Sequence, residues 1–194
     1  MGKFICLYGI NNLGKSTQAN LLVAHLRERG LKAEYLKYPI YTLEPTGPLL
    51  YKILRDKNVK IGDPTAKQLI YTANRFQFAG KLDELLSKND FVIAEDYIGT
   101  GLAWGAAEGV DLGYLEQINS ILRKPDLEIL VDGERFTEAV ESGHIHETNS
   151  DLTEKCRQIH LDLAQKYGWP IVNANQSIDA VYAEIFSHIK KFIK

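Results

Sequence analysis

Phe4-Ile5-Cys6-Leu7-Tyr8 runs without a break into Gly9-Ile10-Asn11-Asn12-Leu13-Gly14-Lys15-Ser16, and these thirteen residues decide the fold class. The five apolar residues suit a buried strand. The eight that follow match the phosphate-binding pattern G-x-x-x-x-G-K-[ST]. A strand that feeds a glycine turn into a helix aims several backbone N–H groups and the positive end of a helix dipole at one point, which suits a polyphosphate. Gly9 and Gly14 allow the tight turn and close backbone approach. Lys15 reaches the β- and γ-phosphates of a nucleoside triphosphate, the Ser16 hydroxyl is placed to ligate Mg²⁺, and the backbone of Asn11, Asn12, Leu13 and Thr17 completes the cradle. Ala19, Leu22, Val23 and Leu26 then recur at helical spacing, with Gly30 as the stop.

Outward from this stretch, strand and helix patterns alternate to the end of the chain, the α/β signature. Ala33–Tyr38 reads as a second strand, Phe91–Ala94 as a buried central one, Leu127–Val131 as a fourth and Pro170–Val172 as a fifth. Helical stretches are expected at Leu49–Leu54, at Ala66–Leu86, around Leu152, Cys156, Ile159 and Leu163, and from Ile178 to Phe192. The glycine-rich Gly99–Gly113 reads as loop and helix start, and the polar stretch from about 133 to 151 as a flap over a nucleotide.

With 194 residues and 45% hydrophobic content the chain suits one domain. A net charge of −2 argues against sequence-independent nucleic-acid binding. No signal-peptide pattern and no membrane-length apolar run is present, so a soluble cytoplasmic protein is expected. Cys6 and Cys156 read as core thiols of a reducing compartment. His144 and His146 alternate in a polar stretch with no third ligand near, which does not make a metal site, and His25, His160 and His188 read as helix-surface residues.

In an open α/β sheet ligands collect at the carboxyl ends of the strands. That rule gathers Gly9–Ser16, Tyr38-Pro39, Glu95-Asp96, Asp132 and Asn173 around one crevice. Glu95 and Asp96, which close a buried strand, are the candidates for holding Mg²⁺ or positioning a phosphoryl acceptor; with Lys15 they form the candidate catalytic set, and Ser16 with Glu95 the metal set.

On these residues the chain resembles the thymidylate kinase family almost end to end. Gly14-Lys15-Ser16-Thr17-Gln18 continues the phosphate loop as that family does, and Tyr38-Pro39 stands at its F-P motif. Ala73-Asn74-Arg75 reproduces the motif on the helix that contacts the acceptor base, with Tyr71 where a base-stacking Phe is common. Glu95-Asp96-Tyr97 falls on D-R-Y, and Thr100-Gly101-Leu102-Ala103-Trp104 continues it in the manner of the eukaryotic and poxviral branch. Lys124-Pro125-Asp126-Leu127 and Val172–Ile178 resemble the fourth strand and the adenine-side loop. The resemblance implies a three-layer P-loop kinase fold, a five-stranded parallel sheet flanked by helices with a short lid near 133–151. It implies ATP and Mg²⁺ as cofactors, a nucleoside monophosphate, dTMP above all, as acceptor, and a homodimer. It also implies an acceptor site made of Tyr38, Pro39, Tyr71, Arg75, Tyr97, Gly101 and Trp104.

The departures from the family all concern charge. Two arginines that meet the acceptor phosphate, one after F-P and one in D-R-Y, are replaced by Tyr41 and Asp96, and the loop carries Asn11 and Asn12 where a catalytic Arg can stand. The matching lid position is His146. Arg135 and Arg157 are the candidates to replace a lid arginine, though each also reads as a solvated surface residue. Charge-assisted hydrogen bonds are worth roughly 1.5–3 kcal/mol each, so the losses weaken a monophosphate site. A nucleoside kinase, a kinase of an unusual acceptor and a nucleotide-binding paralogue without catalysis remain open alternatives at this point.

Overall fold

Five parallel strands form one sheet in the order β2-β3-β1-β4-β5. They are β1 (Lys3–Tyr8), β2 (Ala33–Lys37), β3 (Phe91–Glu95), β4 (Leu127–Asp132) and β5 (Ile171–Asn173). The computed structural model describes residues 1–56, 62–136 and 150–193. All five residues of β3 are buried, as an unbroken apolar run covered by helices on both faces requires. The register sets Leu7 of β1 and Lys37 of β2 opposite Glu95 of β3, so the phosphate loop leaves the sheet beside that carboxylate.

Eight helices are described: α1 (Lys15–Glu28), α2 (Thr46–Arg55), α3 (Pro64–Gln77), α4 (Ala79–Lys88), α5 (Ile98–Ala107), α6 (Leu112–Asn119), α7 (Ser150–Tyr167) and α8 (Ile178–Ile189). Their starts have local causes. The Asp63 carboxylate accepts the Thr65 N–H just before Pro64, Asp111 accepts the Tyr114 N–H, and Ser177 accepts the Ala180 N–H. The helical pattern expected over 66–86 breaks into α3 and α4 at Phe78.

The Gly99–Gly113 stretch corrects the sequence reading, because eleven of its residues and their neighbour Ile98 belong to helices rather than to a loop. Glycine's low helix propensity is outweighed here by packing. A Cβ on Gly99 would lie 2.6 Å from the Tyr8 ring and 2.7 Å from the Trp169 ring, so only a bare backbone lets α5 close onto the core. His160 is a second correction. It is buried in α7 rather than at a helix surface, its Nδ1 lies 3.0 Å from the Cys156 carbonyl oxygen, and burial pulls its pKa down to about 4. The apolar stripe of α7 is wider than its sequence spacing implies, since the helix packs against both α5 and β4. His25 is half-buried against Tyr182 and Phe186. Cys6 and Cys156 are buried free thiols, in keeping with their reading as core residues. The flap expected over 133–151 runs as loop from Gly133 to Phe136, and Ser150 and Asp151 already belong to α7; residues 137–149, with His144 and His146, lie outside the described residues.

Candidate active site

Gly9 sits at φ 136°, and a Cβ there would lie 2.2 Å from the Val131 carbonyl oxygen, so β1 can turn into the loop against β4 only as glycine. Gly14, at φ 76°, opens α1. The Lys15 ammonium is nearly sealed, donating to the carbonyls of Gly9 and Ile10 at 2.9 and 2.8 Å and lying 3.7 Å from Asp96 Oδ1. Each of these groups is one that a polyphosphate would displace.

Glu95 is the hub beside the cradle. It accepts hydrogen bonds from Ser16 Oγ at 2.6 Å and Tyr35 Oη at 2.7 Å, and pairs with Lys37 Nζ at 3.0 Å. Burial pushes its carboxyl up, but Lys15 and Lys37 with the two hydroxyl donors outweigh burial and hold it below the usual range. Asp96 moves the other way, driven up by burial and by Glu95 against the opposing pull of Lys15. It sits in the left-handed region at φ 58°, a conformation that Asp tolerates better than most residues, and it accepts a hydrogen bond from Thr100 Oγ1 at 2.9 Å.

Glu95→Gln removes this stabilised carboxylate. A carboxylate held below its unfolded pKa adds stability above that pKa, and the contribution disappears as pH falls through the folded value. We expect the variant to lose about 1–3 kcal/mol at neutral pH, with the gap to wild type narrowing only below about pH 4. Denaturant melts at both pH values test this, and equal gaps would refute it.

A cavity of about 800 Å³ extends from the cradle toward α3 and α5. It is lined by Asn11–Thr17, Tyr38, Pro39, Tyr71, Arg75, Glu95, Asp96, Tyr97, Gly101 and Trp104, while Gly9 shapes the turn behind it and Asp132 and Asn173, which the strand-end rule also gathered here, line a separate cavity. Tyr38 and Tyr97 pack on each other with ring centroids 4.8 Å apart, which makes them a wall as well as a contact surface. Arg75 is buried, its guanidinium donating to Asn119 Oδ1 at 2.9 Å, Thr72 Oγ1 at 3.2 Å and the Tyr97 carbonyl at 3.4 Å, and burial pulls its pKa down to about 10.

Sequence reasoning missed Lys37, Arg55 and Gln68, which also line the cavity. Lys37 ends a strand just before Tyr38-Pro39, so the strand-end rule could have found it. The Arg55 guanidinium lies 5.2 Å from the Tyr41 ring centroid and 4.6 Å from that of Tyr51. Gln68 precedes Tyr71 and Arg75 by three and seven residues on one face of α3, a helical spacing that could have revealed it. Arg157 does not turn toward the phosphate loop. It makes a two-pronged bond to Asp132 at 2.7 and 2.9 Å, beside a second cavity of about 660 Å³.

Among the described residues no group of three or more His, Cys, Asp or Glu could hold a metal ion. Mg²⁺ needs no such cage, since it keeps water and takes substrate phosphate oxygens beside one or two protein oxygens. The Ser16 hydroxyl and Glu95 carboxylate, 2.6 Å apart at the mouth of the cradle, fit that demand. Among the described residues no helix is long and apolar enough to cross a membrane.

A parallel sheet with a strand–loop–helix phosphate cradle opening onto one long cleft defines the class of P-loop kinases. The thymidylate kinase family model matches residues 7–185. The chain belongs to the thymidylate kinase family, and so to the nucleoside monophosphate kinases. It is 33% identical to a probable thymidylate kinase of Pyrococcus horikoshii, over 97% of this chain and 96% of that one. It is 30% identical to a thymidylate kinase of Dictyostelium discoideum, over 96% and 84%, and 31% identical to a human thymidylate kinase, over 95% and 88%. The solved thymidylate kinase of Candida albicans superposes with a TM-score of 0.84 at 23% identity, covering 98% of this chain and 92% of that one, and so shares its fold.

Proposed function

We propose that the protein moves the γ-phosphoryl group of ATP to dTMP, giving dTDP. The observation that supports this reading best is the continuity of one cavity, with a phosphate cradle at one end and a pocket of aromatic and polar side chains on α3 and α5 at the other. In this reading Lys15 leaves the Gly9 and Ile10 carbonyls for the transferring phosphate, while the amides from Asn11 to Thr17 hold the remaining phosphate oxygens. Ser16 and Glu95 would hold Mg²⁺, whose charge offsets that of the β- and γ-phosphates. Tyr71 flanks the acceptor base, Arg75 donates to it, and Tyr38, Pro39, Tyr97, Gly101 and Trp104 shape the pocket. Phosphoryl transfer asks for alignment and charge neutralisation more than covalent chemistry, and these groups supply both.

The missing arginines do not leave the acceptor end without cations. Lys37 and Arg55 line the same cavity as Tyr41 and Asp96, and both act electrostatically on the Tyr41 phenol, which burial pushes up. They are the groups that would meet a monophosphate. An ATP-consumption assay over dTMP, thymidine and the other deoxynucleosides and their monophosphates tests the reading. Turnover fastest with dTMP is expected. Turnover with thymidine alone, or tight ATP binding without turnover on any acceptor, would overturn it.

A further inference from the structure

Among the described residues Ser16, Lys37 and Tyr35 hold the Glu95 carboxylate, and they differ in what they can do once substrates arrive. Ser16 donates to Oε2 at 2.6 Å, but its hydroxyl is also the one that the phosphate loop offers to Mg²⁺. Lys37 pairs with Oε1 at 3.0 Å, but its side chain is half exposed and lines the cavity, where an acceptor phosphate would compete for it. Tyr35 donates to Oε2 at 2.7 Å and does not line the cavity, so no ligand in the cleft draws it away. The strand sets this up. Tyr35 and Lys37 lie two residues apart on β2 and so on one face, and the register places them opposite Ile93 and Glu95 of β3. The Tyr35 ring packs against the core, and burial together with the Glu95 charge raises the phenol pKa, so the group remains a donor at neutral pH.

We propose that Tyr35 is a positioning residue for the metal site: it keeps the Glu95 carboxylate aimed beside Ser16 when Ser16 and Lys37 turn to Mg²⁺ and to the acceptor phosphate. This rests on the assignment of Ser16 and Glu95 to Mg²⁺ in the kinase reading above. A Glu side chain is flexible, and a carboxylate without a tether has to be ordered anew whenever the metal site fills. Removing the phenol has two opposed effects. It leaves Oε2 more negative, which favours a cation, and it lets the carboxylate swing away from Ser16, which does not. Loss of a partner that orients a metal's ligand costs about 10- to 100-fold in metal affinity, so the second effect prevails.

Tyr35→Phe keeps the ring and removes the hydroxyl. The affinity for ADP, measured once in EDTA and once with saturating Mn²⁺, provides the test, beside the Mg²⁺ dependence of turnover with dTMP. In EDTA the variant is expected to bind ADP as wild type does. With Mn²⁺ it should bind roughly 10-fold more weakly than wild type, and the Mg²⁺ concentration for half-maximal turnover should rise by a similar factor. A tyrosine that merely supports the fold would, when changed, lower both ADP affinities alike or neither, and either result overturns the inference. A wild type that binds ADP equally with and without Mn²⁺ overturns the metal assignment and the inference with it. If the wild type prefers Mn²⁺-loaded ADP yet phosphorylates no monophosphate, the kinase reading fails, and the two ADP affinities alone decide the role of Tyr35.

Discussion

Lys15→Ala is expected to lower turnover at saturating ATP by at least about 100-fold, and by on the order of 1,000-fold if the site is dry at the moment of transfer. A charged donor aimed at a transferring phosphate acts in a water-excluded pocket, where removing one preorganised contact costs roughly 3–4 kcal/mol of transition-state stabilisation. Lys15 is already sheltered before any nucleotide arrives, at 4% exposure. Its ammonium also satisfies the Gly9 and Ile10 carbonyls, so the variant should lose about 1–2 kcal/mol of stability while keeping its fold. Rapid-quench measurement of the chemical step, paired with a thermal melt, separates the two effects. Wild-type turnover in the variant would refute the assignment of this loop as the donor site.

The parts of this site that can be read from sequence are those in which local chemistry and fold agree. The run from Phe4 to Ser16 is a strand, a turn and a helix start in that order, and β3 declares itself because an unbroken apolar run has to end at its carboxylates. The stretch after Asp96 misleads, because glycine signals a loop wherever its neighbours in space are unknown. Only the approach of α5 to Tyr8, Trp169, Arg75 and Leu115 explains why Gly99, Gly101 and Gly105 are helical. His160 hides for the same reason, since one amphipathic stripe cannot reveal that α7 is covered on two sides. Arg55 and Lys37 stand at none of the family's arginine positions, and they reach the same cavity from the end of a helix and the end of a strand, a meeting that only the fold reveals.

The second large effect is a gain. Asp96 places a carboxylate, and Tyr41 a phenol, where the family resemblance implies arginines directed at the acceptor phosphate. Two charge-assisted contacts would bring roughly 3–6 kcal/mol, but the φ of 58° at position 96 penalises a long side chain by about 1–2 kcal/mol, and replacing Tyr41 removes a ring beneath Arg55. The double variant Asp96→Arg with Tyr41→Arg is therefore expected to bind dTMP about 2–4 kcal/mol more tightly than wild type, with the single changes not additive because both meet one phosphate. Releasing Lys15 from its 3.7 Å neighbour should also leave the donor site more receptive. Arg55→Ala separates the two sources of positive charge. In wild type it should weaken dTMP by roughly 1.5–3 kcal/mol, and in the double variant by much less, since the added arginines then carry the phosphate. Calorimetric titration of dTMP into the four proteins decides the matter. Tight wild-type binding, no gain in the double variant and a full loss on Arg55→Ala would mean that Lys37 and Arg55 already saturate the acceptor phosphate, and that the charge at position 96 does not limit this enzyme.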